Sequence, residues 1–72
     1  MPEIIFDGRI FDKDVSYFIG IKKDESPKPY CAVTVFTSRR FKSLKGAIKF
    51  YSEQKRISVE AIEAQIRKGL NG

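Results

Sequence analysis

Apolar and polar residues alternate along two stretches in the first half of the chain. In residues 15–23, Val15, Tyr17, Ile19 and Ile21 fall on one side, and Ser16, Phe18, Gly20 and Lys22 on the other. A period of two puts successive side chains on opposite faces of an extended backbone, so this stretch predicts a half-buried strand. In residues 30–38, Cys31, Val33 and Val35 alternate with Tyr30, Ala32, Thr34 and Phe36, predicting another. Between them, Asp24-Glu25-Ser26-Pro27-Lys28-Pro29 breaks the pattern, because proline has no N–H to give to a ladder. Two such stretches joined by a short polar connection predict an antiparallel hairpin. Upstream, residues 3–11 are rich in apolar and β-branched types on both sides of Asp7-Gly8. That dipeptide admits a small hairpin turning at Asp7-Gly8 or one strand with a bulge at Gly8. The short flanking arms favour the single irregular strand.

The period changes after residue 43. Leu44, Ala47, Ile48 and Tyr51 recur at i, i+3, i+4 and i+7, which predicts a helix over residues 44–54 with one apolar face. Ser43 is its expected N-cap, and Gly46 weakens it by up to about 1 kcal/mol relative to Ala. A second helix is predicted over residues 59–68, with Val59, Ile62 and Ile66 as its buried stripe. Ser58 stands at the N-cap, and Ile57 and Ile62 have the spacing of a hydrophobic staple. Glu60 and Glu63 near the start, and Arg67 and Lys68 near the end, match the helix dipole. Glu63 and Arg67 are also spaced to pair, and Gly69 is placed to end the helix. The order β-β-β-α-α predicts an α+β fold: a three-stranded antiparallel sheet packed on one face by two C-terminal helices, with residues 1–72 forming one domain.

Charge adds a location. The chain has 14 Lys and Arg against 9 Asp and Glu, a net charge of +5. Residues 39–56 hold Arg39, Arg40, Lys42, Lys45, Lys49, Lys55 and Arg56 against the single acid Glu53, whereas residues 57–72 are balanced. A one-sided patch makes a field that attracts polyanions, while scattered charges largely cancel. Lys and Arg gain affinity for nucleic acid by neutralising phosphates and releasing counterions.

Residue types narrow the chemistry. With no histidine and one cysteine, the chain cannot build a Ser-His-Asp triad, a Cys-His pair, a His-bearing zinc site or a Cys₄ site. It has no glycine-rich phosphate-binding motif. Asp7, Asp12 and Asp14 do not follow the spacing of a calcium loop, and turn aspartates ordinarily bond their own backbone, as expected also of Asp24. Cys31 falls on an apolar strand face, where a thiol acts as a small hydrophobe. A non-enzymatic protein with no cofactor and no metal is expected. The lone thiol, the lack of an apolar run of membrane-spanning length and the Met-Pro-Glu start predict a cytoplasmic, intracellular setting with no membrane partner.

If Val33 and Val35 face the helices, then Tyr30, Thr34 and Phe36 face outward with Phe18 and Lys22. Phe18, Tyr30 and Phe36 would then stand on an open sheet face able to stack bases. The same face could instead anchor an acidic protein partner or a second copy in a homodimer. Residues 16–52 resemble the three-stranded-sheet-plus-helix DNA-binding domains of the AP2 and integrase arm-binding type. The run Arg40-Phe41-x-Ser43-x-x-x-Ala47-Ile48-x-x-Tyr51 carries the likeness. The resemblance implies that an aromatic ends the last strand, a hydroxyl residue caps the helix, and outward strand residues such as Lys22, Tyr30 and Thr34 enter the major groove. The chain departs from those domains in having no tryptophan, two prolines in the hairpin and few basic strand residues. The leading expectation is an accessory or regulatory nucleic-acid-binding protein, DNA before RNA, of phage or mobile-element origin. Arg39, Arg40, Lys42, Lys45 and Lys49 would contact phosphates, and Phe18, Tyr30 or Phe36 would meet bases, with Lys22 added by the resemblance. The alternative is a small protein-binding module or inhibitor using the aromatic face and a basic rim. A helix-turn-helix formed by the two helices ranks lower, because Glu60 and Glu63 would repel phosphates.

Overall fold

In a computed structural model describing residues 3–71, with side chains for residues 3–68, the chain forms four strands followed by two helices. Strand β1 (Glu3–Asp7) pairs with β2 (Gly20–Lys23), β2 with β3 (Tyr30–Val33), and β3 with β4 (Ser38–Phe41). All three pairings are antiparallel, and the sheet order is β1-β2-β3-β4. Helix α1 (Leu44–Lys55) packs beneath β2, β3 and β4, and α2 (Val59–Asn71) beneath β1. The α+β class, the antiparallel sheet and both helices are as expected, but the sheet has four strands where three were predicted.

The extra strand arises because the stretch read as one strand, residues 30–38, turns within itself and the chain continues as β4 to Phe41. Residues 34–37 form a tight turn in which the Thr34 N–H donates to the Thr37 carbonyl at 2.7 Å. The Thr34 hydroxyl donates to the same carbonyl at 2.9 Å and accepts from the Thr37 N–H at 3.1 Å. The Thr34 hydroxyl here supplies the closure that glycine or proline would ordinarily signal. The chain returns as β4, an edge strand that carries Arg39 and Arg40, expected only as part of a basic segment after the last strand. Edge strands favour charged side chains, which hinder further pairing.

Residues 15–19 are not strand, despite their alternation. β1 ends at Asp7 because Gly8–Ile10 turns as a 3₁₀ helix, and β3 ends at Val33, so before Gly20 the Ile19 carbonyl accepts one bond, from the Gly8 N–H at 2.9 Å, and no ladder continues. The irregularity in β1 falls between Ile4 and Phe6 rather than at Gly8, and no hairpin turns at Asp7-Gly8.

The faces of β3 are the reverse of those expected. Ile21, Ala32 and Arg39 lie in one cross-strand row, and Lys23, Tyr30 and Phe41 in the next. Ile21 and Ala32 are fully buried in the helix-side cluster with Phe6, Ala47, Ile48, Tyr51, Ile62 and Ile66. The small Ala32 and Ala47 let α1 approach the sheet closely, so size rather than hydrophobicity selects the inner face. Cys31 and Val33 therefore lie on the open side, and Tyr30 packs against the core.

Both helix starts follow the predicted chemistry. The Ser43 hydroxyl accepts from the Gly46 N–H at 3.2 Å, and the Ser58 hydroxyl from the Ala61 N–H at 3.2 Å. Phe41 packs over the first turn of α1, where a Cβ on Gly46 would lie 3.1 Å from its ring. Gly69 does not end α2, which continues to Asn71.

Candidate functional site

Arg40 lies on the open sheet face in a cross-strand row with Cys31 and Lys22. Its guanidinium reaches back to the β2–β3 connection. Nη1 donates to Asp24 Oδ1 at 3.1 Å, Ser26 Oγ at 2.8 Å and the Lys28 carbonyl at 3.1 Å. Nη2 pairs with Asp24 Oδ2 at 2.8 Å. Asp24 also accepts from the Ser26 N–H at 3.0 Å, which folds the connection into an Asx turn. Hydrogen bonding from Arg40, then from Ser26, holds the Asp24 carboxyl well below the usual carboxylate range. Arg40 is therefore a clamp as well as a surface cation, and its Nε–H bonds nothing among the described residues.

The clamp brings Lys28 beside β4. Lys28, Arg39, Arg40, Phe41 and Lys42 line an open hollow of about 460 Å³ with no acidic side chain in its lining. Phe41 supplies the apolar wall and is itself fixed by a tilted contact with Phe50, ring centroids 5.5 Å apart. Three of the expected phosphate-contacting residues, Arg39, Arg40 and Lys42, thus meet in one place. Lys28 was missed, because a lysine between two prolines reads as loop. The signal was that the hairpin carries it back toward the end of β4.

The other candidates are dispersed. Lys45 and Lys49 are exposed on α1 but do not line the hollow. Lys55 bonds Asp12 at 2.9 Å and ties the irregular segment before β2 to the end of α1. Lys22 is half-buried on the open sheet face. Asp7 accepts from Arg9 and Asp12 from Lys55, and among the described residues no group of three metal-ligating side chains is placed to hold an ion.

The aromatic residues do not form the expected open face. Tyr30 turns to the helix side, where Lys23 Nζ lies 5.6 Å from its ring centroid. Phe18 is half-buried in the irregular segment. Phe36 alone is strongly exposed, at the tip of the β3–β4 turn. The open-face row is Ile4, Lys22, Cys31 and Arg40, with no aromatic ring. Of the three rings, Phe36 alone stays available as the anchor expected for a protein partner, and face-to-face pairing of two copies would oppose cations.

No family model, curated protein or solved structure matches the chain. Among the described residues, no helix is long and apolar enough to cross a membrane.

Proposed function

We propose that this is a non-enzymatic nucleic-acid-binding protein, acting on DNA as an accessory or regulatory factor through the edge of β4. The observation that carries the proposal is the hollow ringed by Lys28, Arg39, Arg40 and Lys42 with no acid in its lining. Phosphates attract such a cluster independently of base sequence. Arg40 is oriented in advance by the Asp24 clamp, so ordering it costs less on binding. Lys45 and Lys49 are exposed on α1, outside the hollow, and add to the positive charge of the molecule. The order β2-β3-β4-α1 agrees with the arrangement implied by the resemblance to AP2 and integrase arm-binding domains. Within it, Phe41, Ser43, Ala47, Ile48 and Tyr51 have packing and capping roles.

Fluorescence anisotropy with a mixed-sequence duplex tests the proposal. Affinity should fall steeply between ~50 and ~200 mM salt, and Arg39→Ala/Lys42→Ala should lower the log–log salt slope by about 2. A duplex left unbound at low salt, or a salt slope unchanged in the double variant, refutes it.

A further inference from the structure

We propose that Phe36 acts as a wedge, entering between adjacent base pairs of a DNA duplex and bending it. This rests on the DNA-binding function proposed above and adds a mode of engagement to it. Phe36 is 85% exposed, the most exposed large apolar residue described. Such exposure leaves both ring faces accessible, whereas an aromatic platform set into a surface offers only one.

Its support is stiff. Thr34 is only 5% exposed, and its N–H and hydroxyl close residues 34–37 through three hydrogen bonds to Thr37. The turn holds the ring away from the body of the protein, with Val35 beside it. Apolar side chains that enter a base step unstack it and kink the duplex. A stiff mount suits that work, because a mobile ring would yield rather than separate the bases.

Charge favours DNA as the occupant. Beyond the tip, Arg39, Arg40 and Lys42 follow along β4, and Lys28 adjoins its far end. From Ser38, where β4 leaves the turn, to Lys42 is roughly 13 Å of extended chain. A duplex lying along the outer edge of β4 is approached by cations from both faces of the strand, Arg39 from the helix side and Arg40 from the open side. A membrane entered by the tip of an upright hairpin would leave Lys42 beyond a Debye length of about 8–10 Å.

The test measures binding and bending separately, using an end-labelled duplex with flexible pyrimidine–purine steps and fluorescence energy transfer between its ends. Saturating wild-type protein should increase transfer. Phe36→Ala should keep its circular dichroism spectrum, bind about tenfold more weakly, and leave the saturated duplex straight. Arg39→Ala/Lys42→Ala should also bind weakly but bend the duplex when saturated. Thr34→Val, which keeps the ring and loosens its mount, should bend it less. Binding by the wild type without bending overturns the wedge and leaves the proposed function standing, as does full bending by Phe36→Ala. A Phe36 effect confined to a single strand or to anionic vesicles also overturns it. No duplex binding at low salt overturns both proposals.

Discussion

Tyr51 joins the helices to the sheet. It is fully buried, and its ring meets Phe6 edge-on, with centroids 5.2 Å apart. The cost lies at its hydroxyl, which is buried with no hydrogen-bond partner. Gly8 fits against that oxygen because it has no side chain; a Cβ there would overlap Tyr51 Oη. An unsatisfied buried hydroxyl costs about 1–3 kcal/mol. Tyr51→Phe keeps the ring contact and removes the orphaned group, so it should stabilise the protein by roughly 1 kcal/mol in urea denaturation near neutral pH. Burial, aided by the charges of Asp12 and Asp7, pushes the Tyr51 pKa up to about 12. The folded state thus holds this proton more tightly than the unfolded chain, whose tyrosine titrates near 10. The resulting stability is fully present below about pH 10 and is lost as pH rises through about 12. The stability difference between Tyr51→Phe and wild type should therefore widen in alkali. Destabilisation of Tyr51→Phe at neutral pH would show that the hydroxyl does have a partner in solution.

At the scale of elements, the link between the helices stores strain. Arg56 ends α1 at φ 55° and ψ 40°, the left-handed region, and its N–H donates to the Ser52 carbonyl. A left-handed residue other than glycine costs roughly 1–2 kcal/mol. Arg56→Gly relieves this but adds freedom to the unfolded chain, leaving an expected gain of about 0.5–1 kcal/mol. Thermal denaturation would register it, and a loss would mean that the Arg56 side chain contributes more than its backbone costs. The same element-level forces explain what was legible in the sequence. Ser43 and Ser58 marked the helix starts because caps act within one turn, and the α1 and α2 stripes persist long enough to set a period. β4 was hidden because a threonine-closed turn lacks glycine and proline, and because an edge strand bearing Arg39 and Arg40 has no apolar rhythm. The faces of β3 misled because Val33 outranks Ala32 in hydrophobicity, whereas close helix–sheet packing selects the smaller residue. The basic segment was visible as composition, but the hollow was not. It depends on Lys28, and on Arg40 crossing to Asp24, both consequences of tertiary structure.

Across the whole molecule, the charge excess is less important than its placement. Asp7 and Asp12 are matched by Arg9 and Lys55 toward the β1 side, whereas the far edge carries Lys28, Arg39 and Lys42 with no ion pair among the described residues. Asp24 is the acid bound directly to the hollow's lining, through Arg40. It has two opposed effects there, orienting Arg40 and offsetting part of its attraction for an anion. Asp24→Asn preserves an oxygen that can accept from Ser26 and Arg40 while removing the charge. If the β4 edge is the phosphate-contacting surface, this change should raise duplex affinity several-fold at low salt and much less once the Debye length falls to about 8 Å. Asp14→Asn adds the same net charge in the segment between β1 and β2, outside the lining of the hollow, and should change affinity little. Matched salt titrations of the two variants separate a local field from a simple dependence on net charge. Equal gains would mean that the anion does not settle at the hollow. A gain confined to Asp24→Asn would place it there, and would identify the loop clamp as a restraint on binding as well as a support for Arg40.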